Sequence, residues 1–363
     1  MDRRSFLKTS TIGGSAAAAT GLAAPAVAQS RTSMVIVSSW PRDFPGIGTG
    51  AQRLASAIED ATDGAIETEY YAAGERVGAF DVFDEVSSGN AQAYHSADYY
   101  FQGVHPAFAY ITSVPFGLTA LEQNAFIHYM GGQELWDELG DEYGLKGFLA
   151  GNTGCQPGGW FNTEINSPED FRGLNFRVPG IGGDMMTNLG VSVVSLPAGE
   201  IYEAFVSGAI DAAEFVGPWN DFYLNFHEAA RYFYNPGPQE PGAAISFSMN
   251  KEWLTSLPQW QQKAIEACCL MENDRMMAEY NANNGRYLTR LIEDHGVETR
   301  TFNDDVFDAF GRASDEVFEE VREHSDLANR MHESFLAARA DAGGWLNISE
   351  TAFLQQRNRV LGI

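Results

Sequence analysis

With 363 residues, 44% of them hydrophobic and 20% charged, the chain is long enough for two lobes and too rich in apolar residues to be disordered. A formal charge of −26 argues against nucleic acid and anionic membrane as partners, and obliges any site for an anion to supply its own local positive charge. The three cysteines, Cys155, Cys268 and Cys269, show neither zinc spacing nor a disulfide framework, and Cys155 is read as a packing residue rather than a nucleophile.

Residues 1–28 read as an export leader. Arg3-Arg4-Ser5-Phe6-Leu7-Lys8 is a twin-arginine pattern, 9–24 a weakly apolar run, and Ala26-Val27-Ala28 a small-residue cleavage site. The run is too mildly hydrophobic for a permanent anchor, so export in folded form is expected. Residues 33–39 follow as a first strand and 40–46 as a loop. A helix lies within 48–62, with Ala51, Leu54, Ala55 and Ile58 on one face. Then come a strand at 66–71, a short helix at 80–88 stopped by Gly89, and a strand at 91–96. This alternation predicts a parallel sheet with helices on its faces. Tyr99, Tyr100, Phe101 and the aromatics of 106–116 either wall a cleft or fill a core. Residues 124–139 form one or two helices broken at Gly131-Gly132. A strand at 147–151 runs into the glycine-rich stretch 152–161, where the chain crosses to a second lobe.

Ser167-Pro168-Glu169-Asp170 is a helix start, with serine as cap and proline at the first position. Strands are expected at 174–178 and 191–195, with a helix at 184–189 between them. A helix at 197–207, with Ile201 and Phe205 one turn apart, stops at Gly208 and leads to a short apolar strand at 210–215. A turn at 236–242 precedes a returning strand at 243–250. Residues 259–295 are one long helical run, broken at most at 281–285, and 304–340 another. Such length suits packing against a partner subunit or covering a sheet. The fold class is therefore α/β, with a first lobe over 29–153 completed by 247–300, a second over 154–246, and a C-terminal helical segment over 301–363.

Enzymatic templates fit poorly: Gly-x-Ser-x-Gly, a phosphate loop and His-Glu-x-x-His are missing, and the seven histidines have no metal spacing, although a carboxylate pair of hydrolytic type stays open. Glu214, at the tip of an apolar strand, either has a cation, a donor or water as its partner or faces solvent at a rim. Arg177, inside a strand, is either a surface arginine or a bidentate clamp for a carboxylate. Gln156, Arg177, Glu214 and Glu240 come from both sides of the crossing and lie at strand ends or turns. Gln156 and Glu214 are oxygen donors of the kind hard cations prefer, so the set would hold a small acid together with a metal ion.

Several motifs occur together and in order: Trp40-Pro41 with Phe44-Pro45-Gly46, Tyr94-His95-Ser96-Ala97, Val114-Pro115-Phe116-Gly117, Ala150-Gly151-Asn152-Thr153-Gly154, Gly158-Gly159-Trp160-Phe161, Phe171-Arg172-Gly173-Leu174, and residues 208–220. Through them nearly the whole chain resembles the extracytoplasmic solute receptors of TRAP transporters, in particular the branch binding α-keto acids. The resemblance implies a two-lobed fold of the periplasmic-binding-protein type, a periplasmic location, delivery to TRAP membrane permease subunits, and no catalysis. It implies that Arg177 grips the carboxylate of a pyruvate-like 2-oxo acid. It implies a cation, sodium, held by Gln156, Glu214 and the main-chain carbonyl of Phe215, with Glu240, Asn152, Tyr100 and Phe215 as further substrate contacts. A homodimer through the C-terminal helices is also implied. Phe215 stands where the family usually has tryptophan, and Gln239 where it usually has an aromatic, which leaves a lactate receptor using calcium as the alternative. An exported enzyme acting on small acids is the more distant one.

Overall fold

The computed structural model describes residues 31–362. The expected leader at 1–28 lies outside them. Among the described residues, eleven strands form two sheets: β1 (Thr32–Ser38), β2 (Ile66–Tyr71), β3 (Ala93–Ser96), β4 (Leu145–Asn152), β5 (Gly159–Phe161), β6 (Asn175–Arg177), β7 (Ser192–Val194), β8 (Ala212–Ala213), β9 (Tyr232–Tyr234), β10 (Ala244–Asn250) and β11 (Glu298–Arg300).

The first sheet runs β2-β1-β3-β10-β4. β1 is parallel to β2 and β3, as the strand–helix alternation predicts, but β10 enters antiparallel between β3 and β4, so the sheet is mixed. The second sheet, β11-β9-β5-β8-β6-β7, is mixed as well, with β5 antiparallel to both its neighbours. The expected boundaries shift accordingly. Strand β10 starts at Ala244 in the first sheet, and β11, expected in the first lobe, pairs with β9 of the second. The strand foreseen at 210–215 is hydrogen-bonded only at Ala212 and Ala213, which leaves Glu214 just past its end. Strand β5 forms inside the glycine-rich stretch read as a crossing.

Apolar spacing explains the helices. In Ile47–Ala61, buried Ile47, Ala51, Leu54, Ala55 and Ile58 line one face; Leu54, Ala55 and Ile58 meet Ile265, Cys268 and Cys269 of helix Gln259–Glu293, while Ile47 and Ala51 join the larger cluster with Met276 and Tyr280 of the same helix. That helix runs unbroken through 281–285. Cys155, by contrast, is exposed rather than packed. In the C-terminal segment, helix Asp304–His324 buries Val306, Phe310 and Ala313 against the second sheet's flank, and Val317 and Val321 in the cluster that includes Leu327, Ala328 and Met331 of the next helix. It stops at Ser325, whose hydroxyl caps the next helix, Asp326–Leu346, by accepting from Ala328 N at 3.0 Å. No helix among the described residues is long and apolar enough to cross a membrane.

The chain passes between the sheets twice in close company: outward at 153–158 and back at 235–243. The two crossings hydrogen-bond to each other, with Thr153 N donating to Ala243 O (3.0 Å), Gln156 N to Glu240 O (2.9 Å), Gly237 N to Gln156 O (3.0 Å) and Gly158 N to Tyr234 O (2.8 Å). This pairing fixes the backbone from which Gln156 and Glu240 project.

Candidate functional site

Arg177 ends β6, between β7 and β8, and is fully buried. Glu214 N donates to Arg177 O across the adjacent strand end at 3.1 Å, which sets the two side chains beside each other. The guanidinium Nη1 lies 2.6 Å from both Glu214 Oε1 and Glu214 O, and Nε donates to Leu196 O at 3.1 Å. The Phe215 ring supports the guanidinium at 5.3 Å, and Phe44 meets that ring edge-on from the first sheet's side. Only Nη2 has no protein partner. A bidentate clamp through both terminal nitrogens is therefore not what the fold provides: Nη1 and Nε are already committed, and Nη2 with its two hydrogens is what remains for a ligand.

The acceptors around it are equally incomplete. Glu214 Oε2, Gln156 Oε1, Gln239 Oε1 and both Glu240 carboxyl oxygens are buried without a partner, as is the donor Asn152 Nδ2. Gln156 is turned by a bond from its Nε2 to Thr153 Oγ1 (2.9 Å), and Gln239 by one from its Nε2 to Pro157 O (2.7 Å). Both leave the carbonyl oxygen free. Asn152 Oδ1 accepts from Gly154 N at 2.8 Å and leaves its amide nitrogen free. Buried polar groups are nearly always paired, so this concentration of orphans marks a place where a ligand completes the bonding.

Electrostatics agree. Burial pushes the Glu240 carboxyl well above the usual carboxylate range, and the neighbouring Glu214 charge pushes it further, both favouring its protonated form. Burial also raises Glu214, while Arg177 pulls it back towards the ionised form. A cation on the free Oε2 would add to that pull. Hard oxygens of a carboxylate and an amide fit sodium or calcium. Among the described residues, no group of three His, Cys, Asp and Glu side chains could hold a metal ion, so a cation here depends on amide and main-chain oxygens as well.

Tyr100 is half-buried in an aromatic wall with Tyr99, Phe80 and Trp40, at centroid distances of 4.8, 4.6 and 6.1 Å. Its phenol lies close enough to Arg177 to feel its charge. Arg177 and Glu214 are thus in contact, with Phe215 against the guanidinium; Glu240 and Tyr100 lie within reach of their charges, and Gln156 is tied to Glu240 through the main chain, four residues after Asn152. Two participants were not singled out from the sequence. Gln239 was noted only as a departure from the family pattern. Asp221, fully buried, accepts from Trp160 Nε1 (2.8 Å), Gly217 N (3.1 Å) and Val216 N (3.4 Å), and so holds the turn behind Glu214 and Phe215. Its signal was an acid in the first turn after Gly217-Pro218.

Two mixed α/β sheets joined by paired crossings, with a buried guanidinium and unpartnered oxygens at the joint, define a binding protein for a small charged solute. The chain matches the model of bacterial extracellular solute-binding protein family 7 over residues 37–324 and belongs to that family, whose members bind solutes rather than convert them. A monocarboxylate 2-oxoacid-binding periplasmic protein of Nostoc sp. is 36% identical over 363 residues, covering 97% of this chain and 98% of its own. A TRAP transporter solute-binding protein from Bordetella bronchiseptica, a mixed-occupancy dimer with copurified calcium and picolinate in one site, superposes with a TM-score of 0.89 at 33% identity, covering 92% of this chain and 98% of its own. A TRAP periplasmic solute-binding protein from Pseudoalteromonas atlantica with bound sodium and pyruvate gives 0.87 at 34% identity, covering 90% and 99%. The resemblance read from the motifs holds.

Proposed function

We propose that this protein is the periplasmic receptor of a TRAP transporter, that it binds a small 2-oxo monocarboxylate of the pyruvate class together with sodium, and that it delivers the acid to membrane permease subunits. The observation that carries this reading is the set of unpartnered buried atoms: one guanidinium nitrogen and several acceptor oxygens, none with a partner. Arg177 Nη2 takes the substrate carboxylate. Gln156 Oε1, Glu214 Oε2 and the main-chain carbonyl of Phe215 hold the cation, which supplies the positive charge that keeps Glu214 and the substrate in one cavity. Two carboxylates about 4 Å apart repel by roughly 4 kcal/mol at an effective dielectric of 20, so the cation is a condition of binding rather than an addition to it. Glu240, whose carboxyl burial shifts towards the protonated form, and Asn152, through Nδ2, add polar contacts, and Tyr100 and Phe215 close the apolar side.

The charges of Arg177 and a monovalent ion equal those of Glu214 and a monocarboxylate, which leaves the closed site neutral as burial requires. Calcium is the second reading. It suits a state in which Glu240 ionises, and it accompanies picolinate in the Bordetella protein. We further propose that the two sheets belong to lobes that close over the ligand, that residues 1–28 direct export through the twin-arginine route, and that the C-terminal helices form a homodimer.

A calorimetric panel of 2-oxo and 2-hydroxy monocarboxylates, each in sodium and in calcium, tests the substrate class. Pyruvate or a close 2-oxo acid in sodium is expected to bind tightest. Preference for lactate in calcium moves the protein to the alternative, and no binding across the panel rejects the class.

A further inference from the structure

Six residues beyond Glu214, Asn220 is fully buried in helix Pro218–Tyr223, attached to the second sheet, yet its side chain faces the other half of the molecule. Its Nδ2 donates to Pro45 O at 2.8 Å, in the loop leading from β1 of the first sheet. Its Oδ1 accepts from Tyr280 OH at 2.7 Å. Tyr280 is also fully buried, on the long helix Gln259–Glu293, and the same hydroxyl accepts from Ile47 N at 3.2 Å. One asparagine and one tyrosine thus tie together three segments: the 44–47 loop of the first sheet, the turn following Glu214, and the long helix. Every polar atom of the node is used. The node tolerates no added bulk, because a Cβ on Gly46, whose φ is 76°, would run into the Tyr280 ring. One turn further along the long helix, Asn284 Oδ1 accepts from Trp219 N at 3.1 Å and strengthens the same junction.

Position gives this node its consequence. Asp221, next to Asn220, grips the 216–217 turn and Trp160 from the second sheet's side. Asn220 grips the first sheet's side. Between them they set where Glu214 and Phe215 stand relative to the Asn152 and Tyr100 side of the site. Phe44, in the loop that Asn220 holds, packs edge-on against Phe215 at 5.9 Å.

We propose that Asn220 and Tyr280 are positioning residues for ligand binding: they form an inter-sheet catch that sets affinity for acid and cation without touching either. The proposal rests on the 2-oxo-acid reading above. Remote hydrogen bonds of this kind act by holding the closed arrangement, so their loss lowers the competent fraction and weakens apparent affinity by that factor.

The test uses Asn220→Ala and Tyr280→Phe in the full chain, the second keeping the ring that fills the space beside Gly46. Pyruvate affinity in sodium is expected to fall at least fivefold in both. The small-angle scattering radius of the ligand-saturated variants should match that of saturated wild type, with half-compaction needing correspondingly more pyruvate. Exchange of the Ile47 amide should speed up in both variants without ligand. Affinity within twofold of wild type together with unchanged Ile47 exchange overturns the catch. Should wild type bind no 2-oxo acid, the functional reading fails by itself, and unchanged Ile47 exchange in Tyr280→Phe remains the result that overturns the catch.

Discussion

Arg177 has most of its bonding already committed within the protein. Glu214 and Leu196 take Nη1 and Nε, Phe215 supports the ring-like plane, and Nη2 alone is offered. Arg177→Ala is expected to weaken pyruvate binding by at least about 2 kcal/mol, because it leaves the substrate carboxylate without its donor and Glu214 without its partner. Calorimetry checks this, and an affinity within threefold of wild type would reject this role for Arg177. Arg177 and Glu214 stood out in the sequence because a charge inside an apolar strand, or at its tip, is costly unless something answers it. How Arg177 uses its fork was not legible, since that depends on which nitrogen the Glu214 main chain occupies. Asp221 and Gln239 were overlooked for the opposite reason: an acid at a helix start or an amide in a turn is ordinary at the surface, and only burial gives either a role.

Among the elements, β3 and β4 carry a device that links stability to pH. His95 on β3 is fully buried, with Nδ1 accepting from Trp40 Nε1 at 2.8 Å, so its proton sits on Nε2, 3.3 Å from Ala150 O of β4. Burial lowers its pKa from the usual 6.5 to about 4. The unfolded chain therefore takes up a proton that the folded one refuses. The contribution of His95 is complete above pH 6.5 and is lost as pH falls towards 4, by about 3 kcal/mol over that window. Burial raises Asp98, Asp221 and Glu214 to about 7, and these carboxyls titrate in the opposite sense over the same range, so His95 is read as a difference: between pH 7 and pH 5, urea melts should show wild type losing more stability, or gaining less, than His95→Gln, and equal changes in the two would contradict it. Elements with strong periodicity, such as Ile47–Ala61 and the long helix, were readable. Strand β11, Glu-Thr-Arg, was not, because three polar residues carry no alternation, and β5 was hidden among glycines that usually signal turns. The antiparallel entry of β10 was invisible for a deeper reason: the alternation that suggests parallel strands does not encode a late return between β3 and β4.

For the molecule as a whole, the alternating sequence pattern conveyed an α/β chain with a crossing near 153, while the sheet membership of its last strand needed coordinates. The C-terminal end presents Trp345, Ile348, Phe353, Val360 and Leu361 to solvent, each at least 63% exposed, and none of residues 347–361 is buried. That apolar surface suits a second copy of the chain. Light scattering is expected to report a dimer, and a chain ending at Leu346 a monomer that still binds pyruvate within twofold; a full-length monomer would remove the dimer from the account. On the proposed function, a guanidinium and a cation would share the work of holding one small anion in this acidic protein. Calorimetric titration of pyruvate in sodium buffer, and again in choline buffer with divalent ions chelated, tests it most directly. The account predicts at least a tenfold loss of affinity without the cation, restored on adding sodium, whereas equal affinity in the two buffers would contradict it.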